Sequence, residues 1–372
     1  MSTFDADLAI VGGGPGGAAT ALAAAQHDLK VILFEQHGPI YDKPCGEGIM
    51  PSGVDALNKL GLHDLLNEAR PFAGLRYVIG NRPPLDIPMG RGGVSLQRPR
   101  LQACLNAALD AEPNIQRIRS RMQALQLPQG FLLRGGRVDF TARHLIAADG
   151  SLGRTARWLR GQREQKKPGR FGLRARFSPR DPLDRVEIHL GRTCEVYLTP
   201  LPGGDVNAAL LFGSPPKNSS GADDLLRTSL EQTPSCLHRL GELVTRPSSR
   251  RLDVGPPRRL AADGAFLVGD AGGGVDPILG CGVTIALSSG ILAADCVAES
   301  LAGAIPGTAE RRYSRGYKRE ANMRRRLAWT LRQMAPHPSL MGAVASAGRT
   351  FPPLLQVMVG IVTGPTPRRR TA

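Results

Sequence analysis

The sequence predicts an α/β protein: a Rossmann-like dinucleotide-binding domain carrying an inserted antiparallel β-sheet domain, followed by C-terminal helices. Three observations lead there. A glycine-rich turn of the form G-x-G-x-x-G lies between an apolar run and an Ala-rich stretch near the N-terminus. Two later apolar runs each end in an Asp beside a Gly, at Asp149-Gly150 and Gly269-Asp270. Between them lie "RFGLRARF", "RVEIHL", "CEVYLTPLP" and "DVNAALLF", short segments that alternate or run apolar and are separated by turn residues, as antiparallel strands do.

The first unit reads as β-α-β. The run "DLAIV" enters Gly12-Gly13-Gly14-Pro15-Gly16-Gly17, "AATALAAAQHD" continues as a helix, and "KVILFEQ" is a second strand with Glu35 at its end. Gly12 permits the tight turn, Gly14 lets the backbone approach a pyrophosphate, and Gly17 lets helix pack on strand. Pro15 belongs to the same cofactor-binding turn, and the N-terminus of the helix faces the phosphates with its unpaired N–H groups. Glu35, 18 residues after Gly17, is placed to accept hydrogen bonds from an adenosine ribose. The strands ending at Asp149 and Asp270 put both acids at carboxyl ends of parallel strands, where open α/β sheets bind ligands. Gly280 and Gly282 allow backbone N–H groups to approach a ring edge, and ordinary turn chemistry is the plain alternative for each Asp-Gly pair taken singly.

Composition narrows the classes. With 372 residues and 41% apolar content the chain can bury a large core. The formal charge of +16 comes mostly from Arg spread along the chain, with only 5% aromatic residues, so a nucleic-acid module is not expected. Attraction for anionic cofactors or a membrane surface remains open. The six cysteines form no C-x-x-C pair, which gives neither a zinc site nor a disulfide framework. No basic region with an apolar run follows the first Met, and the apolar stretches are broken by Gly, Pro or charge. A soluble protein of the reducing cytoplasm, without a metal, is the expectation.

The ordered set of GxGxxG, "ADG…R" and "GD…P…GxG" resembles the FAD-dependent hydroxylases of the para-hydroxybenzoate hydroxylase type. Geranylgeranyl reductases and flavin-dependent halogenases belong to the same superfamily. The resemblance covers roughly residues 5–305 and implies a Rossmann-like FAD-binding domain of that type, with FAD held non-covalently. It puts Asp270 on the ribityl chain, Asp149 and Gly150 near the flavin and pyrophosphate, and Gly269, Pro277, Gly280 and Gly282 around the cofactor. "LQRPRLQACLNAAL" resembles the family's R-x-x-L helix and brings Arg98 to the cofactor. The implied domains are discontinuous: 1–75, 95–165 and 255–310 for FAD, 76–94 and 166–254 for a β-rich substrate domain, and 311–372 for a C-terminal helical segment. That tail, with a basic helix and then an apolar segment, is expected to pack over the substrate domain, with peripheral membrane contact as the alternative.

The stretch "DKPCGEGIMP" then becomes the loop over the flavin. Lys43, Cys45 and Gly46 match the K-x-C-G of prenyl reductases, whereas Glu47 and Pro51 match the G-E and later Pro of halogenases. Cys45 reads either as a proton donor or as a small residue packed against FAD. Glu47 reads as holding the loop or as a base, and Tyr197 as a donor into the pocket or as a plain sheet aromatic. "YLTPLP" resembles the prenyl reductases' Y-x-W-x-F-P, but Thr199 and Leu201 replace the two aromatics.

No second strand-GxGxxG-helix unit follows, so NAD(P)H is expected only as a transient reductant. The function expected is a single-component NAD(P)H-dependent monooxygenase, hydroxylating an aromatic or polyketide-like small molecule of secondary metabolism through a flavin C4a-hydroperoxide. A C=C reductase is the alternative. Halogenation is disfavoured by the lack of G-W-x-W-x-I-P and of any Lys between Lys59 and Lys166. A non-enzymatic FAD-binding protein is the distant class.

Overall fold

The computed structural model describes residues 4–38, 41–135, 138–161, 169–191, 193–214, 220–252, 259–335 and 337–364. Along the chain, β1 (Ala6–Val11), α1 (Pro15–Ala25) and β2 (Val31–Phe34) form the expected first unit. Then come β3 (Gly48–Ile49), α2 (Pro51–Lys59), α3 (His63–Asn67), β4 (Arg70–Val78), β5 (Leu85–Ser95) and α4 (Arg98–Ala111). Strands β6 (Ile115–Ile118), β7 (Gln123–Gln126), β8 (Phe131–Arg134) and β9 (Phe140–Ala147) lead to α5 (Arg154–Arg160). The inserted segment supplies β10 (Arg170–Pro179), β11 (Val186–Leu190), β12 (Cys194–Pro200) and β13 (Val206–Phe212). It continues with α6 (Ala222–Glu231), α7 (Pro234–Leu237), β14 (Leu240–Leu243) and β15 (Ser248–Leu252). Finally come β16 (Ala261–Ala262), β17 (Ala265–Leu267), α8 (Gly282–Leu301), α9 (Thr308–Met334), α10 (Pro338–Thr350) and α11 (Pro352–Thr363).

Two mixed sheets result. The first has the order β16-β17-β9-β1-β2-β6, with β7 and β8 attached beside β9. Its centre is parallel, so the carboxyl ends of β1, β2, β9 and β17 all open on one side. The second runs β14-β10-β13-β12-β11-β4-β5-β3, with β15 also on β10. It is larger than the small antiparallel sheet read from the sequence, because β3, β4 and β5 join it and β11 pairs with β4 in parallel. It also takes in Arg70 to Val78 as one strand, starting before the expected boundary at residue 76. The boundary expected at 165–166 lies outside the described residues, as does that at 254–255.

One core joins the two sheets. Leu8 and Ile10 of β1 belong to the same buried cluster as Phe72 and Tyr77 of β4. The other face of the second sheet is covered by α6, whose Leu225, Leu226 and Leu230 pack on Val196, Leu198 and Leu210. Small residues bring α1 and α8 together: a Cβ on Gly290 would meet the Gly16 carbonyl oxygen at 2.6 Å. By length and composition alone α8 could cross a membrane, yet more than half of it is buried against the core. The C-terminal helices divide: α9 packs on α8, whereas α11 reaches β5, within the segment expected to form the substrate domain.

A two-part candidate active site at the strand ends

The glycine turn is built as its spacing requires. Gly12 has φ +108°, and a Cβ there would meet the Ala148 carbonyl oxygen at 2.4 Å. A Cβ on Gly17 would lie 1.8 Å from the Gly12 carbonyl oxygen, so this glycine fixes the contact between α1 and β1. Gly14 differs: nothing lies within 4 Å of its missing Cβ. It is the N-cap of α1, without a side-chain cap, so the first-turn N–H groups of the helix remain open to an anion.

These elements wall a cavity of about 630 Å³ lined by Gly12, Gly14, Pro15, Glu35, Arg98, Asp149, Gly150, Gly269 and Asp270. Glu35 accepts from the Gly13 N–H and the His37 N–H, both at 2.7 Å, which fixes its carboxylate beside the glycine turn. Gln102, one helical turn after Arg98, donates to the Gly13 carbonyl at 2.8 Å and ties α4 to the same turn. The 98, 102, 106 spacing, with all three residues lining the cavity, is the sequence signal that would have found it.

Asp149 lines the cavity, but its carboxylate accepts from the Thr155 and Ala156 N–H groups at 2.8 and 3.2 Å. It holds the start of α5, and burial pushes its pKa up, with those N–H groups pulling it back. Asp270 stays partly exposed and meets Lys43 Nζ at 3.4 Å, linking the 41–50 loop to the end of β17. The Gly269–Gly272 turn is held from behind. Ser289 Oγ accepts from the Gly269 N–H at 3.0 Å, and Tyr317 Oη donates to the Gly269 carbonyl at 3.1 Å.

A second cavity of about 240 Å³ lies beside the first, and Pro15, Lys43, Arg98, Arg250, Asp270 and Ala286 line both. Its walls are mostly apolar, including Met50, Leu173, Leu211, Leu252, Val275 and Val283. Cys45, Gly46, Glu47, Tyr197, Pro277, Gly280 and Gly282 line it too. Nothing lies within 4 Å of a Cβ on Gly46 or Gly282, and Gly280 holds φ +63°. With Gly14 in the first cavity, these glycines leave a continuous surface on which a flat ring and a pyrophosphate fit. The residues present therefore suit a dinucleotide whose ring lies at the junction.

Cys45 is half-buried; its Sγ accepts from the Glu47 N–H at 3.3 Å, and Asn207 donates to its carbonyl at 3.0 Å. Burial pushes the thiol pKa up, and the Arg98 guanidinium pulls the other way. Glu47 is buried at φ +60°, and its Oε1 accepts from the Arg98 N–H at 2.9 Å and from Arg176 at 2.8 Å. This is the geometry of a staple between the loop, α4 and β10. Tyr197 Oη donates to the Ile278 carbonyl at 3.4 Å, and burial drives its phenol pKa well above the usual range. Among the described residues no group of His, Cys, Asp and Glu could hold a metal ion. All six cysteines are free thiols.

The chain belongs to the "FAD binding domain" family, whose pattern it matches over residues 5–333. With that fold and cavity it is an FAD-dependent oxidoreductase. It is 30% identical over 327 residues to digeranylgeranylglycerophospholipid reductase of Methanothrix thermoacetophila, covering 81% of this chain and 80% of that one. Menaquinone reductase of Mycobacterium tuberculosis is 28% identical over 373 residues, covering 89% and 85%. The fold matches a flavoprotein/dehydrogenase from Cytophaga hutchinsonii with a TM-score of 0.82 at 17% identity, covering 96% and 92% of the two chains. More distant matches include 3-hydroxybenzoate 6-hydroxylase of Klebsiella oxytoca and flavin-dependent halogenases.

Proposed function

We propose that this enzyme reduces a carbon–carbon double bond of an apolar, isoprenoid-like substrate, with NAD(P)H as the transient source of reducing equivalents. The observation that carries the reading is the position of Cys45: a thiol on the wall of a mostly apolar cavity, next to the residues shared with the cofactor cavity. Bound FAD, once reduced, supplies a hydride. The second hydrogen must then arrive as a proton on the neighbouring carbon. Burial keeps the Cys45 thiol protonated at neutral pH, and Arg98 beside it stabilises the thiolate left after transfer. Tyr197 is spoken for by the Ile278 carbonyl and serves as wall. The apolar lining excludes water and orients the chain of the substrate.

The names of the two reductase relatives support this choice over hydroxylation, which the altered "YLTPLP" segment had favoured. The test is anaerobic. Dithionite-reduced holoprotein is mixed with a polyprenyl lipid or a menaquinone, and flavin absorbance and product mass are followed. Oxidation of the flavin without oxygen is expected, with a product heavier by two hydrogens in its isoprenoid chain and not merely at a quinone ring. No anaerobic oxidation, together with a product that gains one oxygen in air, would establish the hydroxylase instead.

A further inference from the structure

Helix α9 has two faces of opposite character. Its buried row, Ala309, Tyr313, Tyr317, Ala321, Ala328 and Leu331, recurs at the three-to-four-residue spacing of one helical stripe. The opposite face exposes Arg311, Arg315, Lys318, Arg319 and Arg326. The two acids of α9 turn away from that face. Glu310 accepts from the Gly264 N–H at 3.0 Å, and Glu320 accepts from Ser288 Oγ at 2.7 Å and from Arg324 at 3.0 Å. Among the described residues, these five have no ion-pair partner, while the exposed Arg312 beside them pairs with Glu299 at 2.7 Å.

Several exposed arginines elsewhere are paired. Arg100 pairs with Glu68, Arg117 with Asp110, and Arg227 with Asp224 and Glu231. A solvated helix face mixes signs at i, i+4, whereas Arg311, Arg315 and Arg319 repeat one sign at that spacing. Apolar groups continue the same surface. Trp329 is 65% exposed and Met323 52% exposed on the outer side of α9. Phe351, between α10 and α11, and Val357 of α11 are also exposed, at 64% and 63%.

We propose that this surface docks the enzyme on an anionic lipid bilayer. Cations attract the acidic headgroups, the indole sits at headgroup depth, and the aliphatic and phenyl groups enter the acyl boundary. Docking is independent of whether the enzyme reduces or hydroxylates.

The experiment uses full-length holoprotein and large vesicles of phosphatidylglycerol or phosphatidylcholine, separated by sedimentation. Preference for phosphatidylglycerol by about tenfold or more at low salt, falling as salt rises, is expected. Arg315→Glu with Arg319→Glu should lower that affinity by about tenfold with FAD content unchanged. In a Trp158→Phe background, Trp329 is the only tryptophan and its emission should shift to the blue on phosphatidylglycerol vesicles. Should the charge reversal disturb folding, Arg315→Gln with Arg319→Gln gives a milder readout in the same direction. Equal binding to both lipids, undiminished binding of the charge variants, or tighter binding to duplex DNA than to phosphatidylglycerol would each overturn the proposal.

Discussion

Cys45 and Glu47 are two residues apart and do different work, and the difference can be measured. Cys45→Ser keeps size and shape but replaces a thiol by a far weaker acid. Protonation of the substrate should slow by ~10²–10⁴-fold, the scale of a lost general acid, while flavin reduction by NAD(P)H and FAD content stay unchanged. The wild-type pH profile follows from the raised thiol pKa. A donor must be protonated, so turnover should stay level through neutral pH and fall only on the alkaline side, above the ordinary thiol range. A profile that falls between pH ~6 and ~7 would point to a different donor. Glu47→Ala leaves Arg176 buried without its 2.8 Å partner and should cost about 3–5 kcal/mol in urea unfolding of the flavin-free protein. The family resemblance implied that both residues lie in a loop over the cofactor. It could not show which was the staple, because Arg176 and Glu47 are 129 residues apart in the chain. Asp149 illustrates the same limit: the Asp-Gly pair marked a strand end, but the acid spends its oxygens on the N–H groups of α5.

At the scale of elements, periodicity and turn chemistry were legible and partnership was not. The four inserted strands were readable because each alternates or runs apolar between turn residues. Joining β4 to β11 needed tertiary information, since the segments are separated by more than a hundred residues and neither carries a mark of its neighbour. The role of α9 was also hidden. Tyr317 Oη reaches the Gly269 carbonyl at 3.1 Å and Tyr313 Oη donates to the Leu267 carbonyl at 2.6 Å. A helix outside the sheet thus fixes the turn that presents Asp270. Tyr317→Phe removes only the hydroxyl. It should lower stability by about 0.5–1.5 kcal/mol and weaken FAD retention in parallel, read by thermal unfolding and by flavin fluorescence after dilution. Weakened stability with an unchanged FAD dissociation constant would separate the helix from the cofactor site.

For the whole molecule, FAD is a folding ligand as much as a redox group, because the cavity that suits it is lined by β1, β2, β6, α1, α4 and the turns after β9 and β17 together. Binding to the native state alone raises stability by RT ln(1 + [L]/Kd), roughly 2.7 kcal/mol at a hundredfold excess over Kd. Titrating FAD into stripped protein should therefore raise the unfolding temperature as the logarithm of its concentration. Two glycines of the turn then separate folding from binding. A Cβ on Gly17 meets the Gly12 carbonyl oxygen at 1.8 Å, so Gly17→Ala should lower the unfolding temperature even without FAD, by about 1–3 kcal/mol of overpacking. A Cβ on Gly14 meets nothing within 4 Å, so the flavin-free Gly14→Val protein should unfold close to wild type. Its valine fills the space the pyrophosphate must enter, so added FAD should no longer raise that temperature. Stabilisation of Gly14→Val by FAD equal to that of wild type would place the pyrophosphate elsewhere than at the head of α1.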